Sequence, residues 1–95
     1  MSLTVKKFGG SSLSSPDRIG RVADLIKKSV QAGERVVTVV SAMGDTTDDL
    51  LSLAYAVSAH PPRRELDMLL SSGERISMAL MGMALEARGV RAQSL

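Results

Sequence analysis

The sequence has no cysteine, two aromatic residues and one histidine. The absence of cysteine excludes a disulfide framework and a thiolate metal site. Phe8 and Tyr55 are the only aromatic residues, so the stacking platforms of single-strand nucleic-acid binders are missing. Twelve basic and ten acidic residues leave a net charge of +2, which is too weak to indicate a nucleic-acid partner. His60 precedes two prolines and is interpreted as a loop residue.

Long apolar runs are also missing. No stretch approaches the roughly 20 apolar residues that a membrane helix needs. Lys6 and Lys7 are followed by glycines instead of the apolar run of a signal peptide. Apolar residues still make up 44% of the chain, which argues against disorder. We therefore expect a soluble, cytoplasmic α/β protein with an aliphatic core and no membrane partner.

The first forty residues show the pattern of a strand–helix–strand unit. Residues 3–8 predict a strand that ends at a double glycine. Ser15 and Pro16 form a strong helix start, apolar residues then recur at helical spacing, and Gly33 ends the helix. The β-branched run at residues 36–40 is typical of a strand covered on both faces in a parallel sheet.

The second half of the chain is predicted to be mainly helical. Thr46 or Thr47 is expected to cap a second helix, and a longer helix is expected at about residues 64–88. Gly73 lies inside that longer helix, where glycine is costly. Either the helix is interrupted there or another group approaches the backbone closely. Residues 90–95 are interpreted as the start of another strand.

Two polar loops follow the two predicted strands, at residues 9–12 and 41–47. Neighbouring parallel strands place such loops side by side, and ligands bind at this edge of a sheet. Glycines let the backbone approach an anion, and Lys7 adds a charge suited to phosphoryl transfer. The alternative is a simple turn beside an exposed lysine, since the common nucleotide-binding motifs are absent.

Other polar residues have two interpretations each. Thr46 and Thr47 either cap the second helix or contact a ligand. Glu74 either pairs with Arg75 in solvent, or holds an ammonium group if Gly73 lets a ligand approach. The acidic residues of the second loop fit no calcium-binding loop, and we assign them no metal: Asp45, Asp48 and Asp49.

Three segments together resemble the aspartokinases of the amino acid kinase family. They are KFGGSSL at residues 7–13, VVSAMGDTTDDLL at 39–51 and RELDMLLSSGERIS at 64–77. Their order, spacing and residues most resemble those of actinobacterial forms. The resemblance implies a Rossmann-like three-layer α-β-α fold with a mainly parallel sheet. It also implies phosphorylation of the side-chain carboxylate of L-aspartate by ATP with Mg²⁺, the first step towards lysine, threonine and methionine.

The resemblance also implies roles for individual residues. Lys7 is similar to the family's catalytic lysine, which stabilises the transferring phosphoryl group. Gly9 and Gly10 match the glycines of the phosphate loop, and Ser11 stands where many members have threonine. Ser41 matches a residue near the ATP phosphates. Thr47 and Glu74 match positions that hold aspartate. Glu74 would face the amino group of aspartate, and this role would account for Gly73 beside it.

Length is the main departure from the family pattern. We expect residues 1–95 to be the amino-terminal portion of a catalytic domain, without the adenosine-binding region and the ACT regulatory domains. The isolated chain is therefore expected to be inactive or nearly so, and the full-length protein to be a homo- or hetero-oligomer. Two alternatives stay open: a non-catalytic interaction fragment derived from the kinase, and a sibling kinase acting on another acid.

Overall fold

A computed structural model describes residues 2–94. Within these residues, two strands and three α-helices follow one another in the order β1, α1, β2, α2, α3, with a short 3-10 turn after β1. Their bounds are Leu3–Phe8 for β1, Gly10–Leu13 for the turn, Pro16–Gln31 for α1, Arg35–Val40 for β2, Thr46–Val57 for α2 and Arg63–Ala87 for α3. No described helix combines the length and the apolar character needed to cross a membrane.

The strand–helix–strand unit is confirmed. The two strands pair in parallel, in a register that runs from Leu3 opposite Arg35 to Phe8 opposite Val40. The helix between them begins as predicted, because the Ser15 hydroxyl accepts a hydrogen bond from the Arg18 amide at 3.2 Å. It ends as predicted too, since Gly33 follows with φ +91°, a conformation that favours glycine.

The core lies on one face of this two-stranded sheet, where α1 and α3 pack. Its buried members are aliphatic, as the composition requires, and Phe8, Val36 and Val40 contact them from the sheet. The cluster consists of Leu13, Ile19, Val22, Ala23, Ile26, Met81 and Leu85. Leu13, at the end of the 3-10 turn, is fully buried and anchors the loop that follows β1.

The opposite face of the sheet is open, and here the prediction of a strand covered on both faces is wrong. Val37 and Val39 are 45% and 44% exposed, and Leu3 and Val5 are more exposed still. Side chains alternate along a strand, and both α1 and α3 contact the other face. The described residues therefore form two layers of the expected three-layer fold.

Three predictions about the second half need correction or refinement. Neither threonine caps α2: Thr46 is already helical, and Asp45 precedes the helix without a side-chain capping bond. α3 runs through Gly73 without interruption. Residues 90–94 form no strand: they do not pair with β2, and they line a cavity of about 310 Å³ beside it.

Candidate functional site

The loops after β1 and β2 lie side by side, as the parallel pairing of the strands requires. The Ser41 amide donates to the carbonyl of Phe8 at 3.2 Å, and the Gly44 amide donates to the carbonyl of Gly10 at 2.9 Å. The half-buried Ser41 thus stands directly beside the first loop. The predicted convergence of the two loops is confirmed.

Hydrogen bonds hold every carbonyl of the first loop from Gly9 to Ser11. The Gly9 carbonyl accepts from the Ser12 amide at 3.2 Å, and Gly44 occupies the Gly10 carbonyl. The Ser11 carbonyl accepts twice, from the Ser14 hydroxyl at 3.0 Å and from Nη1 of Arg18 at 3.1 Å. Carbonyl oxygens repel an anion, so a loop whose carbonyls are engaged elsewhere is suited to hold one.

The two glycines of this loop lie in different surroundings, and only one of them is required by packing. A Cβ atom on Gly10 would lie 2.9 Å from the Ala42 carbonyl oxygen and 3.3 Å from that of Gly44. Gly10 is therefore required by the contact between the two loops. A Cβ atom on Gly9 would meet nothing within 4 Å, and its φ of −83° suits any residue. The space in front of Gly9 is open to a ligand.

Lys7 lies on the open face of the sheet, one residue before the end of β1. It stands opposite Val39 in the strand register and is exposed. Lys6 alternates to the packed face and is half-buried. The two adjacent lysines therefore occupy different surroundings, and only Lys7 shares the open face near the paired loops.

The third motif reaches the same region through α3. A Cβ atom on Gly73 would lie 3.0 Å from Cβ of Ala42 and 3.2 Å from Cγ2 of Thr46. The close approach expected at Gly73 is confirmed, but the approaching group is the start of α2 and its preceding loop. Thr47 and Glu74 are exposed, and each follows directly a residue of this contact. The fold thus brings all three motifs to one region.

Sequence reasoning missed the arginine that holds the first loop. Arg18 stands at the third position of α1, outside the apolar stripe, and only the folded turn directs it back to Ser11.

The described residues were also compared with the requirements of a metal site. Within residues 2–94 no three acidic or histidine side chains come close enough to share a metal ion, so we assign no Mg²⁺ ligand here.

Among residues 2–94, the one carboxyl group with a shifted pKa lies at the other end of the sheet. A hydrogen bond from the Thr4 hydroxyl, 2.6 Å from Oε1 of Glu34, lowers the pKa of that glutamate. The positive charge of Lys6 acts in the same direction. This interaction joins the start of β1 to the segment before β2, so it belongs to the scaffold and not to the loops.

The described residues thus combine a parallel strand–helix–strand unit with a glycine loop and a second polar loop at the same sheet edge. Residues 2–95 match the amino acid kinase family, and the chain belongs to that family. The resemblance to aspartokinases, which the three segments carry and which covers essentially the whole chain, is thereby confirmed.

Individual relatives agree with this assignment. The chain is 60% identical over 94 residues to the aspartokinases of Mycolicibacterium smegmatis and Corynebacterium glutamicum, which covers 99% of this chain and 22% of theirs. It is 53% identical to the aspartokinase of Geobacillus stearothermophilus over 95 residues. The crystal structure of aspartate kinase from Synechocystis superposes with a TM-score of 0.95 at 49% identity, covering all of this chain and 16% of that one. The chain thus spans about 22% of the length of the actinobacterial relatives that it matches.

Proposed function

We propose that the chain is the amino-terminal portion of the catalytic domain of an aspartate kinase. In the reaction, an oxygen of the aspartate side-chain carboxylate attacks the γ-phosphorus of ATP. The bond to the β-phosphate oxygen breaks, and ADP and 4-phospho-L-aspartate are formed. The observation that carries the proposal is the meeting of three aspartokinase-like motifs in one region, through the Gly10–Gly44 hydrogen bond and the Gly73–Thr46 contact.

The first loop and Lys7 are proposed to hold the phosphates. Phosphoryl transfer depends mainly on positioning and on stabilising negative charge that spreads over the phosphoryl oxygens. The Lys7 ammonium group supplies a positive charge for this. The open space at Gly9 lets a phosphate approach the backbone, while Gly10 keeps the two loops in contact. Ser11 and Ser41 offer hydroxyl groups beside the phosphates. Lys7 is the catalytic residue in this proposal.

Two exposed residues near the α2–α3 contact are proposed to hold aspartate. Thr47 lies in the first turn of α2, where the helix dipole favours an anionic group such as a carboxylate. Glu74 offers a carboxylate for the substrate's ammonium group. Because Gly73 fixes α3 against the start of α2, it sets the spacing between these two side chains. A glutamate-specific sibling enzyme is the nearest alternative, and Thr47 and Glu74 within these motifs favour aspartate.

The wider setting follows from the same proposal. ATP is proposed to enter as its Mg²⁺ complex, and we assign none of the described residues as a metal ligand. The product leads to lysine and diaminopimelate, threonine and methionine. We place the protein in the cytoplasm and expect the full-length form to be an oligomer. The 95-residue chain spans about 22% of the length of the actinobacterial relatives, and by itself it is expected to be inactive or nearly so.

The test is a full-length chimera. Residues 2–95 replace the matching segment of the Corynebacterium glutamicum aspartokinase, and ADP release is measured with L-aspartate, L-glutamate and no acid. Trapping the acyl phosphate with hydroxylamine identifies the product. Aspartate-dependent turnover supports the proposal, and an inactive but folded chimera contradicts it. Preference for glutamate would favour the sibling kinase, and robust turnover by the isolated chain would refute the expectation that it is inactive.

The open sheet face favours a second candidate, a non-catalytic interaction module. An exposed apolar surface is formed by Leu3, Val5, Val37 and Val39. It lies beside two strand edges that pair with no other strand of residues 2–94, a combination that promotes association. Sedimentation velocity tests this candidate. Association that Val39→Lys abolishes, while Leu25→Lys on the exposed side of α1 leaves it intact, supports a binding face. A monodisperse monomer at all concentrations contradicts it.

A further inference from the structure

Arg18 reaches from the first turn of α1 to the loop after β1. Its Nη1 atom donates to the Ser11 carbonyl at 3.1 Å, while its own amide donates to the Ser15 hydroxyl at 3.2 Å. The arginine therefore joins the capped start of α1 to the turn in front of it. Arg18 is exposed, so neither core packing nor burial explains this arrangement.

The bond acts on a peptide group that the loop needs in one orientation. The amide of the Ser11–Ser12 peptide donates to the Gly9 carbonyl at 3.2 Å, and its carbonyl accepts from Arg18 and Ser14. A flip of this peptide would break all three bonds and turn the Ser11 carbonyl oxygen towards the Gly9 carbonyl oxygen, where the amide now points. The two oxygens would repel each other, so the turn that shapes the loop for a phosphate would be lost.

We propose that Arg18 is a positioning residue for nucleotide binding, which keeps the Ser11 carbonyl directed towards α1 and the loop receptive to phosphate. This inference rests on the proposed kinase function. Arg18 itself contacts Ser11 and not the phosphates. Its effect is therefore confined to the nucleotide side of the reaction, and the aspartate side at Thr47 and Glu74 is unaffected.

The test compares Arg18→Gln with Arg21→Gln in the full-length chimera. Arg21 lies about one turn further along α1 and serves as the matched removal of a positive charge. We expect Arg18→Gln to raise the KM for ATP about tenfold, the size of effect expected when about 1.4 kcal/mol of binding free energy is lost. The KM for aspartate and the unfolding temperature stay unchanged. Arg18→Lys, which keeps one donor and the charge, recovers part of the affinity.

Hydrogen–deuterium exchange of the first loop gives a readout that does not need turnover. Hydrogen–deuterium exchange of residues 9–12 should increase in Arg18→Gln and remain at the parent level in Arg21→Gln. An unchanged KM for ATP overturns the inference, as does an equal rise in both substrates' KM or an equal effect of Arg21→Gln. An inactive parent chimera would count against the kinase function, while unchanged loop exchange would still overturn the role of Arg18.

Discussion

Replacing each glycine of the first loop with alanine separates a packing role from a ligand-binding role. At Gly10, a Cβ atom 2.9 Å from the Ala42 carbonyl oxygen forces the two loops apart and strains the 2.9 Å bond from the Gly44 amide. Overpacking costs about 1–3 kcal/mol, and a weakened hydrogen bond costs about 0.5–1.5 kcal/mol. Alanine also lowers the conformational entropy of the unfolded chain, which offsets about 0.4–1 kcal/mol of this loss in stability. We expect a net loss of about 2 kcal/mol, which lowers the unfolding temperature by roughly 8–16 °C.

At Gly9 the change to alanine is expected to affect ligand binding and not stability. Its backbone conformation suits alanine and its Cβ position is open, so Gly9→Ala should leave stability unchanged or raise it by about 0.4–1 kcal/mol. In the chimera, however, the added methyl group occupies the space proposed for phosphate and should raise the KM for ATP. Thermal unfolding followed by circular dichroism, together with ATP kinetics, provides the assay. Destabilisation by Gly9→Ala, or an unchanged unfolding temperature in Gly10→Ala, would refute the reasoning.

Further predictions concern the scaffold. The hydrogen bond from Thr4 holds the pKa of Glu34 below its unfolded value, so its stabilisation is present above the unfolded pKa and is lost as pH falls through the folded one. Thr4→Val should therefore lower stability at pH 7 and flatten the acid unfolding curve, and an unchanged curve would contradict this. Nε of Arg88 lies 2.7 Å from Oδ1 of Asp24, with the side chains 30% and 63% exposed, so Asp24→Asn should cost at most about 1 kcal/mol in urea unfolding and less in 1 M salt. Gly73→Leu should push α2 from α3 and speed amide exchange throughout α2, whereas unchanged exchange would show that the contact is dispensable.

The local pattern predicts the first half of the fold well because its signals are short-range. Ser15 and Pro16 start α1, Gly33 ends it with a positive φ, and the β-branched run becomes β2. The open face of β2 was beyond such signals, because coverage depends on segments distant in sequence. Residues 90–94 form no strand although β2 has a free edge, because strand pairing depends on how a segment docks and local propensity does not determine that.

The candidate site divides in the same way. Parallel pairing alone predicts that the loops after β1 and β2 meet. It cannot predict that Gly10 and Gly73 serve contacts between segments, since only the folded chain shows which backbone approaches them. The contact of Arg18 was missed as well, because only the folded turn directs its guanidinium group to Ser11, seven residues back along the chain. Motif resemblance suggests the candidate site, and the contacts show how its loops are held together.

The central claim is that Lys7, on the open face beside the paired loops, supplies the charge for phosphoryl transfer. Its neighbour Lys6 offers a matched control on the packed face of the same strand. The decisive measurement is kcat for aspartate-dependent ADP release by the full-length chimera carrying Lys7→Met or Lys6→Met. The account predicts a loss of at least about a hundredfold for Lys7→Met, as for removal of a single charge-stabilising group, and little change for Lys6→Met. Near-parent turnover in Lys7→Met, or an equal loss in both variants, would contradict it.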